Sequence, residues 1–170
     1  MELRKNLEPD WEIAERLYPK VVALMEEYLR YCEANGDGDF VESKKLGSKL
    51  CDVTGRDISS HHSLWGWWEG EGSEVEAFRI SLPPPILVPD ITYDELTEVV
   101  RRIREAVWQD SEDGFRQIFE NYISDYYHNL LKLNFKNYKY EYFNRRKGKD
   151  GKYSEYSVEE ISSKIWGKRM

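Results

Sequence analysis

The sequence predicts an α+β fold, mostly helical, with a small antiparallel sheet that includes a C-terminal hairpin. Three observations carry this. Apolar residues recur at helical spacing over most of the chain. Ser/Thr-x-x-Glu capping boxes open two of the helices. A tyrosine-alternating run near the end meets an Asp-Gly turn, the signature of a hairpin. A length of 170 residues suits a single domain, 1–170, with a real core. It reads in three parts: a helical N-terminal part (8–55), a strand and helix pair (74–135), and a basic hairpin with a terminal helix (137–168).

The first helix begins near Pro9, a residue suited to a first turn. Pro19 either kinks it or starts a second helix. Val21, Leu24, Met25, Tyr28 and Cys32 then keep helical spacing up to an Asn35-Gly36 stop. Asp39, with Glu42 three residues on, is a capping-box variant for the next helix. Leu46, Leu50 and Val53 give it a thin apolar stripe, and Gly55 ends it. Residues 74–82 (EVEAFRISL) alternate like a strand, with Phe78, Ile80 and Leu82 on one side. Pro83-Pro84-Pro85 stops that strand with a stiff extended connector, and Ile86–Val88 is short enough for an edge segment. Thr92 and Glu95 form a capping box before Leu96, Val99, Val100, Ile103 and Val107. Ser111 opens a further helix reaching about Phe135, with Phe115, Ile118, Phe119, Tyr122, Ile123, Tyr126, Leu130 and Leu133 on its apolar pattern. In NYKYEYFN (137–144) the tyrosines alternate. Lys149-Asp150-Gly151-Lys152 turns the chain, and Ser157 with Glu160 caps the last helix.

Charge and composition narrow the function. The net charge is −7, and it is uneven: residues 1–110 carry −10 and residues 111–170 carry +3. An acidic body repels phosphates, which disfavours nucleic acid as a partner and favours a basic protein. Two cysteines, Cys32 and Cys51, make no disulfide framework, and a reduced cytoplasmic setting is the expectation. No signal-peptide pattern and no run of roughly 18 apolar residues stands in the sequence, so no membrane role is expected.

The sharpest local feature is LWGWWEGEG (64–72). As a short helix capped by Ser59 or Ser60 it puts Leu64, Trp67 and Trp68 on one face; as an extended segment it pairs Trp65 with Trp67 instead. Either way three indoles are hard to bury together. They serve as core, or as anchors of a protein-binding surface with Glu69, Glu71, Glu74 and Glu76 as an acidic rim. Other candidates are weaker. Adjacent His61 and His62 point about 100° apart on a helix and to opposite faces on a strand, which suits neither chelation nor a shared acid–base task. His128 lies near Ser124 and Asp125 in the helix pattern, but a triad is defined by geometry rather than by proximity in sequence. Asp37-Gly38-Asp39 lacks the twelfth-position Glu of a calcium loop, since Ser48 stands there. The run Asn144–Lys152 is basic, and nearby tyrosines could stack bases, although lysines also guard edge strands. No catalytic, metal or cofactor motif emerges.

Taken over the whole chain, acidic, tryptophan-rich LWGWWEGEGSEVEAF and the closing NYKYEYFNRRKGKDGKYSEYSVEEISSKI resemble immunity proteins of bacterial polymorphic and contact-dependent toxin systems. The resemblance is one of overall character and assigns no residue a role. It implies a cytoplasmic inhibitor that binds a basic toxin, often a nuclease, its carboxylates standing where nucleic-acid phosphates would. A phage-type inhibitor of a host defence nuclease would share that character. A small hydrolase or nuclease using His61 or His62 is the enzymatic alternative.

Overall fold

The computed structural model describes residues 1–58, 72–105, 114–148 and 151–167. It is α+β and mostly helical, with one two-stranded antiparallel sheet near the C-terminus. The chain divides into two compact units, Asp10–Pro83 and a discontinuous one made of Met1–Pro9 with Pro84–Met170. The division at Pro83/Pro84 falls inside the triple proline.

The Asp10–Pro83 unit contains α1 (Trp11–Asn35), α2 (Val41–Thr54) and α3 (Ser73–Ser81). Asp10 caps α1 by accepting from Ile13 N–H at 3.0 Å. The helix runs through Pro19 without ending, so Pro19 interrupts nothing but one backbone hydrogen bond. Gly36 and Gly55 close α1 and α2 at positive φ, a conformation that costs glycine nothing. Val21, Met25 and Tyr28 of α1 meet Leu46 and Leu50 of α2, Ile58, and Ala77 and Ile80 of α3 in one buried cluster. Trp11 stacks on Phe78 at 5.5 Å between ring centroids.

Residues 74–82 are therefore not a strand. EVEAFRIS satisfies a helix as well as an alternation: Val75 and Phe78 lie three apart, and Ala77, Ile80 and Ser81 follow at i, i+3, i+4, all of them buried. Packing against α1 decides the ambiguity. Glu74 in the first turn and Arg79 in the last suit the helix dipole.

The discontinuous unit holds α4 (Tyr93–Glu105), α5 (Gly114–Phe119), α6 (Ser124–Asn134), β1 (Arg146–Lys147), β2 (Tyr153–Ser154) and α7 (Val158–Trp166). α4 packs on α6 and α7, and Leu96, Val99 and Val100 of α4, Leu130 and Leu131 of α6, and Ile161 and Ile165 of α7 are all buried. Both capping boxes form. Glu95 N–H donates to Thr92 Oγ1 at 3.2 Å while Thr92 N–H donates to the Glu95 carboxylate at 2.8 Å. Ser157 and Glu160 exchange the same pair at 3.2 and 2.8 Å.

Three expectations change here. The long helix expected from Ser111 to Phe135 breaks into α5, a 3-10 turn at Glu120–Tyr122, and α6. The break lets Phe119, Ile123, Tyr126 and Tyr127 all turn inward and leaves Ile118 in water, 62% exposed. Ile86–Val88 is not a strand. The side chain of Asn134 substitutes for a neighbouring strand, accepting from Val88 N–H at 2.7 Å and donating to Ile86 O at 3.3 Å. The alternating tyrosines of 137–144 form a 3-10 turn, Tyr140–Phe143, rather than a hairpin arm. The hairpin itself is shorter, pairing Arg146 with Ser154 and Lys147 with Tyr153.

Candidate functional site

The two units differ most in charge. Asp10–Pro83 contains 15 carboxylates and 8 basic side chains, a net of −7; the remainder contains 17 of each and is neutral. The whole net charge of the chain thus belongs to the Asp10–Pro83 unit, which also carries the LWGWWEGEG segment between α2 and α3. A field of one sign over one compact unit raises the local concentration of an oppositely charged partner.

Of the residues expected to form a partner-binding surface, Trp65, Trp67, Trp68, Glu69 and Glu71 lie outside the described residues, as do His61 and His62. Glu74 is exposed on the first turn of α3, where a rim carboxylate belongs. Glu76 is a correction. It is 4% exposed, its nearest cation is Arg79 at 3.8 Å, and its Oε1 finds no hydrogen-bond donor among the described residues. The helical turn of α3 points Glu76 inward where an alternating strand would have left it beside Glu74.

The α1–α2 corner holds a carboxylate that sequence reasoning passed over. Asp37, rather than Asp39, caps α2. Its Oδ2 accepts from Ser43 N–H at 2.8 Å and from the Tyr28 hydroxyl at 3.1 Å, and its Oδ1 accepts from Glu42 N–H at 3.1 Å. Burial works against the ionised form, but these donors hold the Asp37 carboxyl below its usual pKa. Asp39 reaches only Val41 N–H, at 3.3 Å. Phe40, the residue before the helix, has φ 59° and ψ 24°. The signal was present in the sequence as a second aspartate two positions upstream, but a carboxylate five and six residues from the N–H groups it caps follows no local rule.

Comparison with protein-family models, with curated proteins and with solved structures gave no match. Function must therefore be read from the chain's own chemistry.

Two further places in the discontinuous unit could be taken for active sites. Around His128, Nδ1 is hydrogen-bonded to the Tyr138 hydroxyl at 2.9 Å, and Tyr140 and Phe143 lie at 4.8 and 4.7 Å between centroids. Burial lowers the His128 pKa and pushes the Tyr138 hydroxyl up to about 12. The His128 ring is half-buried against these aromatic side chains. The groove of about 380 Å³ between α4 and α7 is lined by Arg101, Arg104, Tyr156 and Glu159, among others. Its cations are committed: Arg101 to Glu98 and Glu105, Arg104 to Glu155 and the Phe143 carbonyl. Among the described residues no group of three or more His, Cys, Asp or Glu side chains could hold a metal ion, and no helix is long and apolar enough to cross a membrane.

The most heavily buried polar cluster is structural. Arg102, with 5% of its side chain exposed, donates from Nε to Glu98 at 3.1 Å and from Nη1 to Glu8 at 2.9 Å and to the Tyr127 hydroxyl at 2.7 Å. Tyr127 in turn donates to Glu8 at 2.9 Å. Burial opposes the charge on Arg102, but Tyr127, Glu8 and Glu98 hold its pKa above the usual value. Tyr126 donates to the Glu8 carbonyl at 3.0 Å, and Arg4 spans Glu95 and Asp90 at 2.6 and 3.0 Å. These contacts fasten the first eight residues onto α4 and α6.

Proposed function

We propose that the chain is an immunity-type inhibitor that binds and neutralises a cognate toxin, a basic nuclease domain, in the cytoplasm. The observation that carries this reading is the concentration of the entire −7 charge in Asp10–Pro83, the unit that also contains three closely spaced tryptophans. A nuclease must hold a polyanion, so its substrate groove is cationic. An acidic face competes for that groove, speeds encounter and makes the encounter salt-sensitive. Trp65, Trp67 and Trp68 act as apolar anchors that slow dissociation, with Glu69, Glu71 and Glu74 as charge around them.

The test is neutralisation. The chain is co-expressed with the toxin domain encoded beside it, and survival is scored for wild type and for Trp67→Ala/Trp68→Ala, with thermal unfolding showing that both are folded. Survival with the wild type and death with the folded variant is the expected result. Equal protection by both would remove the anchors from the proposal, and no protection by either would remove the function.

A further inference from the structure

We propose that the C-terminal hairpin and α7 form a phosphate-binding site for single-stranded nucleic acid, in which Arg146 and Lys164 hold a phosphate and Tyr153 stacks a base. The site belongs to the neutral unit and is independent of the inhibitor reading. Tyr156 is its centre. The Arg146 guanidinium lies 3.3 Å from the centroid of the Tyr156 ring, and the Lys164 ammonium lies 4.4 Å from the same centroid. Tyr142 stands edge-on to Tyr156 at 6.3 Å between centroids, with the Lys164 ammonium 5.8 Å from its own ring. Two cations gathered on one ring repel each other, and the ring quadrupole offsets only part of that. An anion touching both removes the rest.

No carboxylate of the described residues fills that role. Glu155 pairs with Arg104 and, at 2.8 Å, with Arg145. Glu159 and Glu160 accept from the Ser157 hydroxyl and N–H at 2.9 and 2.8 Å. Glu141 is exposed and forms an ion pair with neither cation. A guanidinium that lies over a ring keeps its N–H edge for an oxyanion. The surrounding hairpin is basic, since residues 144–154 contain five bases and one acid. The acidity that disfavours nucleic acid resides in Asp10–Pro83 instead.

The form of the nucleic acid follows from the ladder. Lys147 and Tyr153 oppose each other, on the face of the hairpin opposite to Arg146 and Ser154. Tyr153 is 68% exposed, an open ring beside a lysine. Cations on both faces and an open ring on one suit a flexible single strand, which bends around a hairpin where a duplex cannot. An acidic peptide would use the cations and leave the ring idle. Among the described residues of 137–164 the exposed large apolar side chains are Tyr140 and Tyr153, with no aliphatic group to enter a bilayer.

The full chain is titrated into a fluorescein-labelled oligouridine about twelve nucleotides long, and anisotropy is followed from about 50 mM salt upward. Binding is expected, with log affinity falling against log salt at a slope of about −2, as three phosphate contacts on a single strand give. Arg146→Gln and Lys164→Gln should each make the slope shallower by about 0.7, while Lys20→Gln in the acidic unit leaves it alone. Tyr153→Ser should weaken binding by about tenfold. Tyr156→Phe keeps the ring and should bind as wild type does, whereas Tyr156→Leu should lose affinity. Thermal unfolding shows that each variant is folded. Absence of binding at about 50 mM salt, or an unchanged slope in Arg146→Gln/Lys164→Gln, overturns the proposal. So does displacement by inorganic phosphate at matched phosphate concentration, which would make this a free-anion site. Tighter binding to phosphatidylserine vesicles would move the site to a membrane surface. Self-association abolished by the double variant would assign its cations to the acidic unit of a second copy. Either result overturns the nucleic-acid assignment.

Discussion

At the scale of single residues, Arg102 is the side chain on which most depends. It is buried among Glu8, Glu98 and Tyr127, and its removal would leave the Glu8 carboxylate with the Tyr127 hydroxyl but without its cation. Arg102→Met should cost about 3–5 kcal/mol of unfolding free energy by denaturant titration. Adding Glu8→Gln to that variant should recover part of the loss, since the charge left without its cation is gone. His128 gives a pH signature. Its folded pKa is depressed by burial, so the unfolded chain takes up a proton at about pH 6.5 while the folded chain does not. Stability from this residue is complete above that pH and is lost as pH falls through the folded pKa. Thermal unfolding across pH 7 to 5 should show the decline in wild type and a flatter profile in His128→Gln. Glu95 and Glu98, also held below their usual pKa, obey the same sign lower down and lose their contribution as pH falls beneath about 4.3. The Glu8–Arg102 partnership was not legible in the sequence. The charges of Glu8 and Arg102 stand 94 positions apart, and nothing local announces that they meet.

At the scale of elements, what the sequence disclosed was what local chemistry enforces. The boxes Thr92/Glu95 and Ser157/Glu160 each need four consecutive residues, and each forms as expected. Ser157→Ala should therefore destabilise the fold by about 1 kcal/mol, seen as a lower unfolding midpoint, while Ser157→Asp should leave it nearly unchanged. Elements whose identity depends on a distant neighbour were misread. The nine residues of α3 fit two periodicities and take the one that α1 rewards. The Ile86–Val88 segment obtains its hydrogen bonds from one amide, Asn134, where a strand was expected. Asn134→Leu keeps the branched shape, with more bulk, but removes a donor and an acceptor, and leaves the buried Val88 N–H without the Asn134 oxygen. It should cost about 1–3 kcal/mol, and hydrogen exchange at Val88 should accelerate. The candidate site shows the same division. LWGWWEGEG is conspicuous as composition, whereas the burial of Glu76 depends on the helix that α3 forms.

At the scale of the whole molecule, charge in the sequence was divided at the wrong place. Cutting at residue 110 gives −10 and +3; cutting where the units divide gives −7 and zero. The difference arises because Met1–Pro9 and Pro84 onward form one body, joined through buried Leu3 and Leu7 and the Glu8–Arg102 pair. For partner binding this has a direct expression. Association rates measured by stopped flow should fall steeply with salt for wild type. Charge removal within Asp10–Pro83, such as Glu33→Gln with Asp39→Asn, should slow association, whereas Lys147→Gln in the neutral unit should not. A slope unaffected by either would argue against electrostatic recognition. The same chain path bears on synthesis. Asp10–Pro83 is one uninterrupted stretch, and every residue of it has been translated before α4 begins. Glu8 leaves the ribosome well before its partners, since Arg102 and Tyr127 are added 94 and 119 residues after it. Met1–Pro9 is thus made before Asp10–Pro83 and belongs to a body that is translated after it.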